Sequence, residues 1–358
     1  MRAYEVQTRG GIDDLRRVER PDPRPPKVGE VLVAMRAASL NYRDLGIVRG
    51  GYLRNDTRPV IPLSDGAGEV IAVGEGVSEW AAGDRVVGSF VQDWTAGPPT
   101  DAALRTSLGG GIDGVLCERR LFPVASLARV PASFSYAEAA CLPCAGLTAF
   151  HGLGFDLHGR GDDVGRGGED GLGDRWAVTA DQTVLTLGTG GVSIFALQIA
   201  RAVGARVIVT SSSDEKLSRA AELGASDTVN YETHPEWDAL VRDLTGGQGV
   251  DHVIEVGGPG TLARSIACTR VGGQIALIGV LAGADGRPDL MPAVFNCLRI
   301  NGIYVGSSRM LRRFVGFCEE HAIRPVVDRT FAFEEAADAY RHLKSGQHFG
   351  KVTIDISG

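Results

Sequence analysis

The sequence predicts an α/β protein, with a small β-barrel or sandwich ahead of a doubly wound parallel sheet. Three observations carry that expectation. From Gln182 onward, short β-branched runs alternate with helical stretches, the rhythm of a parallel sheet covered on both faces. Before about residue 135, β-branched runs are separated only by glycine and proline clusters, which suits many short strands. Where the first strand of the alternating part meets its helix stands Gly188-Thr189-Gly190-Gly191-Val192-Ser193, a turn suited to a ligand phosphate.

Length and composition bound the reading. At ~150 residues per domain, 358 residues suggest two domains. Lysine and arginine total 37 against 44 aspartates and glutamates, a net charge of −7. That balance argues for no nucleic-acid partner and no anionic membrane, and leaves a small-molecule substrate as the expected partner. Hydrophobic residues at 44% and charged residues at 23% are ordinary for a globular chain. The 49 glycines are roughly twice the ~7% average, which directs attention to turns and ligand loops. No apolar run approaches the ~18 residues of a membrane span. The start, Met1-Arg2-Ala3-Tyr4-Glu5, lacks the apolar middle of a secretory signal. Six cysteines in so long a chain need no disulfides, and a reducing cytoplasm is the expected location.

In chain order, strands are expected at residues 31–34, 69–73, 85–87 and 126–130. Residues 136–142 and 145–153 read as helix interrupted by Pro143. The Gly/Asp-rich insert at 155–180 is too polar to pack a core and reads as a loop. Strands then fall at 183–187, 206–210, 228–230, 251–256, 274–280 and 300–305. Helices fall at 192–203, 214–223, 236–244 and 261–268. The alternation ends near Ser307, and the tail holds a helix at 334–344 and a strand at 351–356.

The turn after the first inner strand has the G-x-G-x-x-G spacing with serine at the last place. Gly188 permits the tight turn, and Gly190 lets the backbone approach a pyrophosphate. Gly191 and Val192 open a helix whose N-terminus favours that charge, while Ser193 is small enough for helix–strand packing. An acid closing the second strand would select NADH by accepting two ribose hydroxyls. Here that strand ends Thr210-Ser211-Ser212-Ser213, and Asp214 lies where it starts the next helix. Ser211 and Ser212 can donate to a 2′-phosphate, and Lys216 can supply charge, so NADPH is expected over NADH. Lys216 also reads as an ordinary solvated helix lysine.

At this point the chain resembles the medium-chain dehydrogenase/reductase superfamily, in its zinc-independent quinone oxidoreductase-like and alcohol dehydrogenase-like branch. The resemblance spans nearly the whole chain apart from the insert. It is carried by Asn41-Tyr42-Arg43-Asp44, Asp65-Gly66-Ala67-Gly68-Glu69-Val70, Val73-Gly74-Glu75-Gly76-Val77 and Gly83-Asp84-Arg85-Val86. Further on it rests on Leu142-Pro143-Cys144-Ala145-Gly146-Leu147-Thr148-Ala149, the Gly188 turn, Leu223-Gly224-Ala225 and Gly350-Lys351-Val352. It implies a Rossmann domain, 147–306, inserted in a GroES-like β-barrel domain formed by 1–146 and 307–358, with the active cleft between them. It further implies that Thr148 contacts the nicotinamide and that loops at Gly257, Val280 and Ser307 border it. Phe349 and Lys351 would approach the coenzyme from the barrel side. A homodimer joined through the sheet edge at 300–305 is the implied assembly.

Zinc-bearing members of that superfamily carry Gly-His-Glu where this chain has Ser64-Asp65 before Gly66, and a cysteine near Asn41. Only Cys144 matches a ligand position, and one thiol cannot hold a catalytic zinc, so no metal is expected. Cys141-Leu142-Pro143-Cys144 reads as two buried cysteines rather than a redox pair. Without metal, hydride transfer needs hydrogen-bond donors for the developing oxyanion. Asn41 and Tyr52 are the expected catalytic residues, with Arg43 and Ser64 as further candidates. The expected reaction is NADPH-dependent reduction of an enone or quinone. A metal-free alcohol dehydrogenase or carbonyl reductase, and a non-catalytic NADPH-binding protein, remain alternatives.

Overall fold

The computed structural model describes residues 1–6, 10–50, 59–155, 177–281, 283 and 286–357. Strands β1 (Arg2–Glu5), β2 (Arg16–Glu19), β3 (Glu30–Ser39), β4 (Asp65–Val73), β5 (Arg85–Gly88), β6 (Arg119–Pro123) and β7 (Leu127–Arg129) come first. Six follow in the alternating part: β8 (Thr183–Leu187), β9 (Arg206–Ser211), β10 (Asp227–Asn230), β11 (Val250–Glu255), β12 (Thr269–Leu277) and β13 (Arg299–Gly302). The chain closes with β14 (Val327–Ala332) and β15 (Lys351–Asp355). The residues divide into two compact units, Met1–Leu147 with Val305–Gly358, and Thr148–Tyr304.

The first unit is a GroES-like sheet in the order β14-β15-β3-β4-β5-β7, with β6 also paired to β3; β1 and β2 form a separate pair. Along β3 every second residue turns inward, burying Val31, Val33, Met35 and Ala37. Phe122, Leu127, Phe333, Tyr340 and Ile354 fill the same core. β4 begins four residues earlier than its β-branched run suggests, because Gly66 and Gly68 belong to it. A Cβ on Gly68 would stand 2.2 Å from the Ala34 carbonyl oxygen. The glycines therefore permit close strand contact rather than marking a turn. β15 pairs antiparallel with β3, so both chain ends build one sheet.

The second unit is a Rossmann-like parallel sheet in the order β10-β9-β8-β11-β12-β13. The order reverses between β8 and β11, the topological switch point at which such sheets take ligands. The helix Gly191–Ala202 follows β8 and buries Ile194, Phe195, Leu197 and Ile199. Strand β12 starts five residues before the expected 274. Its sequence Thr269-Arg270-Val271-Gly272-Gly273 hides the strand behind two glycines. Edge strand β13 is shorter than the expected 300–305.

Three further features add to or refine the expected elements. The helix Ser308–Glu320 follows the alternating part directly, capped by Ser307. The stretch around Pro143 runs as the helix Tyr136–Ala139, a π-turn over Leu142–Gly146 and the helix Leu147–Gly152. Tyr42–Val48 is a short helix following β3. The insert falls largely outside the described residues. Among the described residues, no helix is long and apolar enough to cross a membrane.

Candidate functional site

In the second unit the switch point is lined by two glycine turns. Gly188 follows β8 with φ +74°, a conformation that costs a side-chain-bearing residue about 1–2 kcal/mol. Its N–H donates to Thr210 Oγ1 at 3.3 Å, tying the turn to β9. Around Gly190 no atom lies within 4 Å of where a Cβ would sit, so the backbone there is open. Gly191 and Val192 begin the helix, and Ser193 Oγ donates to the Leu187 carbonyl at 2.7 Å. Small size and one hydrogen bond explain why serine serves in the last glycine's place.

The second turn follows β11. Buried Glu255 ends that strand, and its carboxylate accepts from the N–H groups of Gly257 at 2.8 Å and Gly258 at 2.9 Å. Thr261 Oγ1 donates to it at 2.6 Å, and Ser265 Oγ donates as well. Four donors on one carboxylate hold the Gly257 turn rigidly beside the Gly188 turn. Sequence reasoning named Gly257 and missed Glu255, although an acid ending an apolar strand before two glycines is a visible signal. Val280 is half exposed on the turn after β12, and the backbone N–H of Leu281 donates to Val256 O at 3.1 Å.

At the end of β9, Ser211 is buried, and its Oγ accepts from the Ser213 N–H at 3.2 Å. Ser212 is exposed. Ser213 caps the helix Asp214–Glu222 by accepting from the Lys216 N–H. Asp214 opens that helix and accepts from Asn230 Nδ2 at 2.7 Å. Ser211, Ser212 and Lys216 thus share one corner with no acid closing β9. Tyr231, which sequence reasoning missed, stands 38% exposed beside them, its N–H donating to the Ser211 carbonyl. Thr148, the second unit's first residue, is buried in the helix Leu147–Gly152.

In the first unit a buried polar cluster forms where β15, β3 and β4 lie side by side. The register sets Ser39 opposite both Thr353 and Asp65. Two residues beyond Ser39 the side chains of Asn41 and Lys351 meet: Lys351 Nζ donates to Asn41 Oδ1 and to the Leu40 carbonyl, each at 2.5 Å. Asn41 Nδ2 lies 3.5 Å from Ser64 Oγ, which donates to Asp65 Oδ1 at 2.7 Å. Asp65 Oδ2 accepts from the Cys144 N–H at 3.0 Å. Asp44 caps the neighbouring helix through the Asn41 N–H at 2.7 Å. Burial raises the Asp65 carboxyl, against the opposing effect of Lys351. It pushes Asp44 to about 6, and Arg43 opposes it. Arg43 donates to the Leu108 carbonyl and lies over the Phe90 ring. Burial also pushes the Cys141 thiol to about 12 and raises Cys144, so both stay protonated.

The structure thus brings Asn41, Ser64 and Lys351 together and adds Asp65, which sequence reasoning did not single out. Ser307 is buried with its hydroxyl accepting from the Met310 N–H as a helix cap. Phe349 is buried, its N–H donating to Asp328 Oδ1. Tyr52 lies outside the described residues. Among the described residues, no group of three or more His, Cys, Asp or Glu side chains could hold a metal ion.

Comparison with known proteins accords with both units. The family described as "Alcohol dehydrogenase GroES-like domain" matches residues 27–132 and that described as "Zinc-binding dehydrogenase" matches residues 191–320. A zinc-type alcohol dehydrogenase-like protein of Schizosaccharomyces pombe is 43% identical, over 97% of this chain and 96% of its own. An acryloyl-coenzyme A reductase of Metallosphaera sedula is 30% identical over 99% of each chain. A crystal structure of an NAD-dependent alcohol dehydrogenase superposes with a TM-score of 0.85, 35% identical over 100% of both chains. On this sequence likeness and this pair of units, the chain belongs to the medium-chain dehydrogenase/reductase superfamily and is an NAD(P)H-dependent oxidoreductase.

Proposed function

We propose that this protein reduces conjugated carbonyls, enones or quinones, with NADPH and without zinc. The observation that carries the reading is the composition of the buried cluster in the first unit. It joins an amide and an ammonium, Asn41 and Lys351, to a carboxylate, Asp65, that already accepts from the Ser64 hydroxyl and the Cys144 backbone N–H, and among the described residues no three His, Cys, Asp or Glu side chains are placed to hold a metal ion. Such a set suits an oxyanion better than a zinc ion, which takes three protein ligands in catalytic sites. A zinc ion does not fit these residues.

The coenzyme fits the second unit. Gly188, Gly190, Gly191 and Val192 would hold the pyrophosphate, with Gly257, Val280 and Thr148 toward the nicotinamide. Ser211, Ser212 and Lys216 would take a 2′-phosphate, and the exposed Tyr231 ring offers a face for the adenine. When bound, the reduced coenzyme supplies hydride. Asn41 Nδ2 would donate to the substrate oxygen and so stabilise the charge that develops on it. Tyr52 or water would then protonate the reduced carbon skeleton. Ser307 and Phe349 would border the site through their backbone, since their side chains are buried.

Similarity to the acryloyl-coenzyme A reductase supports a conjugated substrate. Similarity to the NAD-dependent alcohol dehydrogenase favours a second reading, a metal-free dehydrogenase of simple alcohols. The deciding experiment follows oxidation of NADPH and NADH with quinones, enones, aldehydes and ketones, with metal content measured on the same sample. The proposal expects NADPH oxidation with enones or quinones at substoichiometric zinc. Turnover confined to saturated alcohols with NAD⁺ would support the second reading. Coenzyme binding with no turnover of any acceptor would point to a binding protein.

The proposed assembly is a homodimer. Leu290, Met291, Val294 and Phe295 stand exposed just before edge strand β13, Phe295 at 75%. A second copy is the partner the resemblance implies. Six free thiols suit the reducing cytoplasm, which is the proposed location.

A further inference from the structure

Lys351 is 3% exposed, and lysine is almost never buried unless paired. Its ammonium carries three donors and no acceptor. Two donors go to the Leu40 carbonyl and to Asn41 Oδ1. An amide facing an ammonium must offer its oxygen, so the contact settles which way Asn41 is turned. Its nitrogen then points toward Ser64 and Asp65. Hydrogen bonds run in one sense from Lys351 to Asn41 to Ser64 to Asp65. The link from Asn41 to Ser64, at 3.5 Å, is the longest of them. That amide hydrogen is the one an incoming substrate oxygen can take over.

We propose that Lys351 is a positioning residue: its buried ammonium holds the Asn41 amide oxygen and thereby presents the amide nitrogen to the substrate. The inference rests on the oxyanion role given to Asn41 above. It assigns Lys351 a task within the barrel-like unit rather than a charge contact with the coenzyme. The register explains why the pairing is built in. β15 and β3 are locked from Thr353 opposite Ser39 to Asp355 opposite Ala37, so Lys351 cannot shift without breaking that ladder. Asp65 balances the buried charge.

The test uses the full chain. The protein has five asparagines, so ¹⁵N-asparagine labelling gives a small set of side-chain amide signals, and the Asn41 pair is assigned by its loss in Asn41→Ala. Lys351→Met removes the ammonium. Lys351→Met/Asp65→Asn removes both buried charges and keeps the fold testable if the single variant is unstable. The proposal expects the Asn41 amide pair to shift and exchange faster in either variant. It also expects kcat for NADPH with but-3-en-2-one to fall about 100-fold, with KM for NADPH within about twofold. Unchanged Asn41 amide signals, or a double variant with wild-type kcat, would overturn it, because Lys351 would then only neutralise Asp65. Failure of the oxyanion reading looks different: Asn41→Ala would keep full kcat, while the amide signals would still report the Lys351 contact.

Discussion

At the residue scale, Asn41 and Lys351 are both buried and joined by a hydrogen bond. Asn41 was legible because an asparagine after a barrel strand offers donors. Its buried partners were less so, since nothing local distinguishes a lysine that will be buried from one that will be solvated. Only the β15–β3 register places Lys351 against Asn41. Replacing Asn41 with alanine is expected to lower kcat about 100-fold while leaving NADPH affinity unchanged, measured by steady-state kinetics and fluorescence titration. Asp44 offers a test by pH. Burial raises its carboxyl from 3.8 to about 6, so between those values the folded state binds more protons than the unfolded one. Stability therefore falls as pH rises through that window, by on the order of 3 kcal/mol. Asp44→Asn should reduce that slope, leaving the part that Asp65, also raised by burial, contributes, in thermal unfolding followed from pH 4 to 7. An identical slope in the variant would show that Asp44 does not titrate there. At the coenzyme corner, Ser211→Asp should move preference from NADPH toward NADH by about tenfold or more, read as the ratio of kcat/KM values.

At the scale of elements, strands and helices of the Rossmann-like unit were largely legible because periodicity and glycine caps agreed. β8 falls at the expected residues, and Asp214–Glu222 and Leu262–Cys268 fall within a residue of expectation at each end. Misses came where glycine has two meanings. In β4 and β12 it lies within the strand, and sequence alone reads it as an end. Ser308–Glu320 was overlooked although Met310, Leu311, Phe314, Val315 and Cys318 repeat at helical spacing. It follows β13, and the next strand, β14, belongs to the other sheet, outside the alternating rhythm. The Gly188 turn gives the sharpest element-level prediction. Gly188→Ala forces alanine to φ +74°. Thermal unfolding without coenzyme should show a loss of about 1–2 kcal/mol, and NADPH affinity should fall about tenfold. Full affinity would mean the pyrophosphate lies elsewhere.

For the whole molecule, both chain ends contribute to the GroES-like sheet, which β-strand propensity cannot reveal. The motif Gly350-Lys351-Val352 pointed there through family resemblance alone. Assembly belongs to this scale as well. The exposed Val294 and Phe295 before β13 predict a dimer in sedimentation velocity, at twice the 37.8 kDa of the chain. Phe295→Asp should shift it to the monomer, and a monomeric wild type would refute the proposed edge. The central claim, that a nicotinamide coenzyme in the second unit reduces an acceptor no metal touches, has one direct measurement. Oxidation of NADPH by an enone or quinone is followed before and after exhaustive chelation. Turnover that chelation leaves unchanged is the expected result. Activity lost with the metal and restored by zinc alone would contradict it.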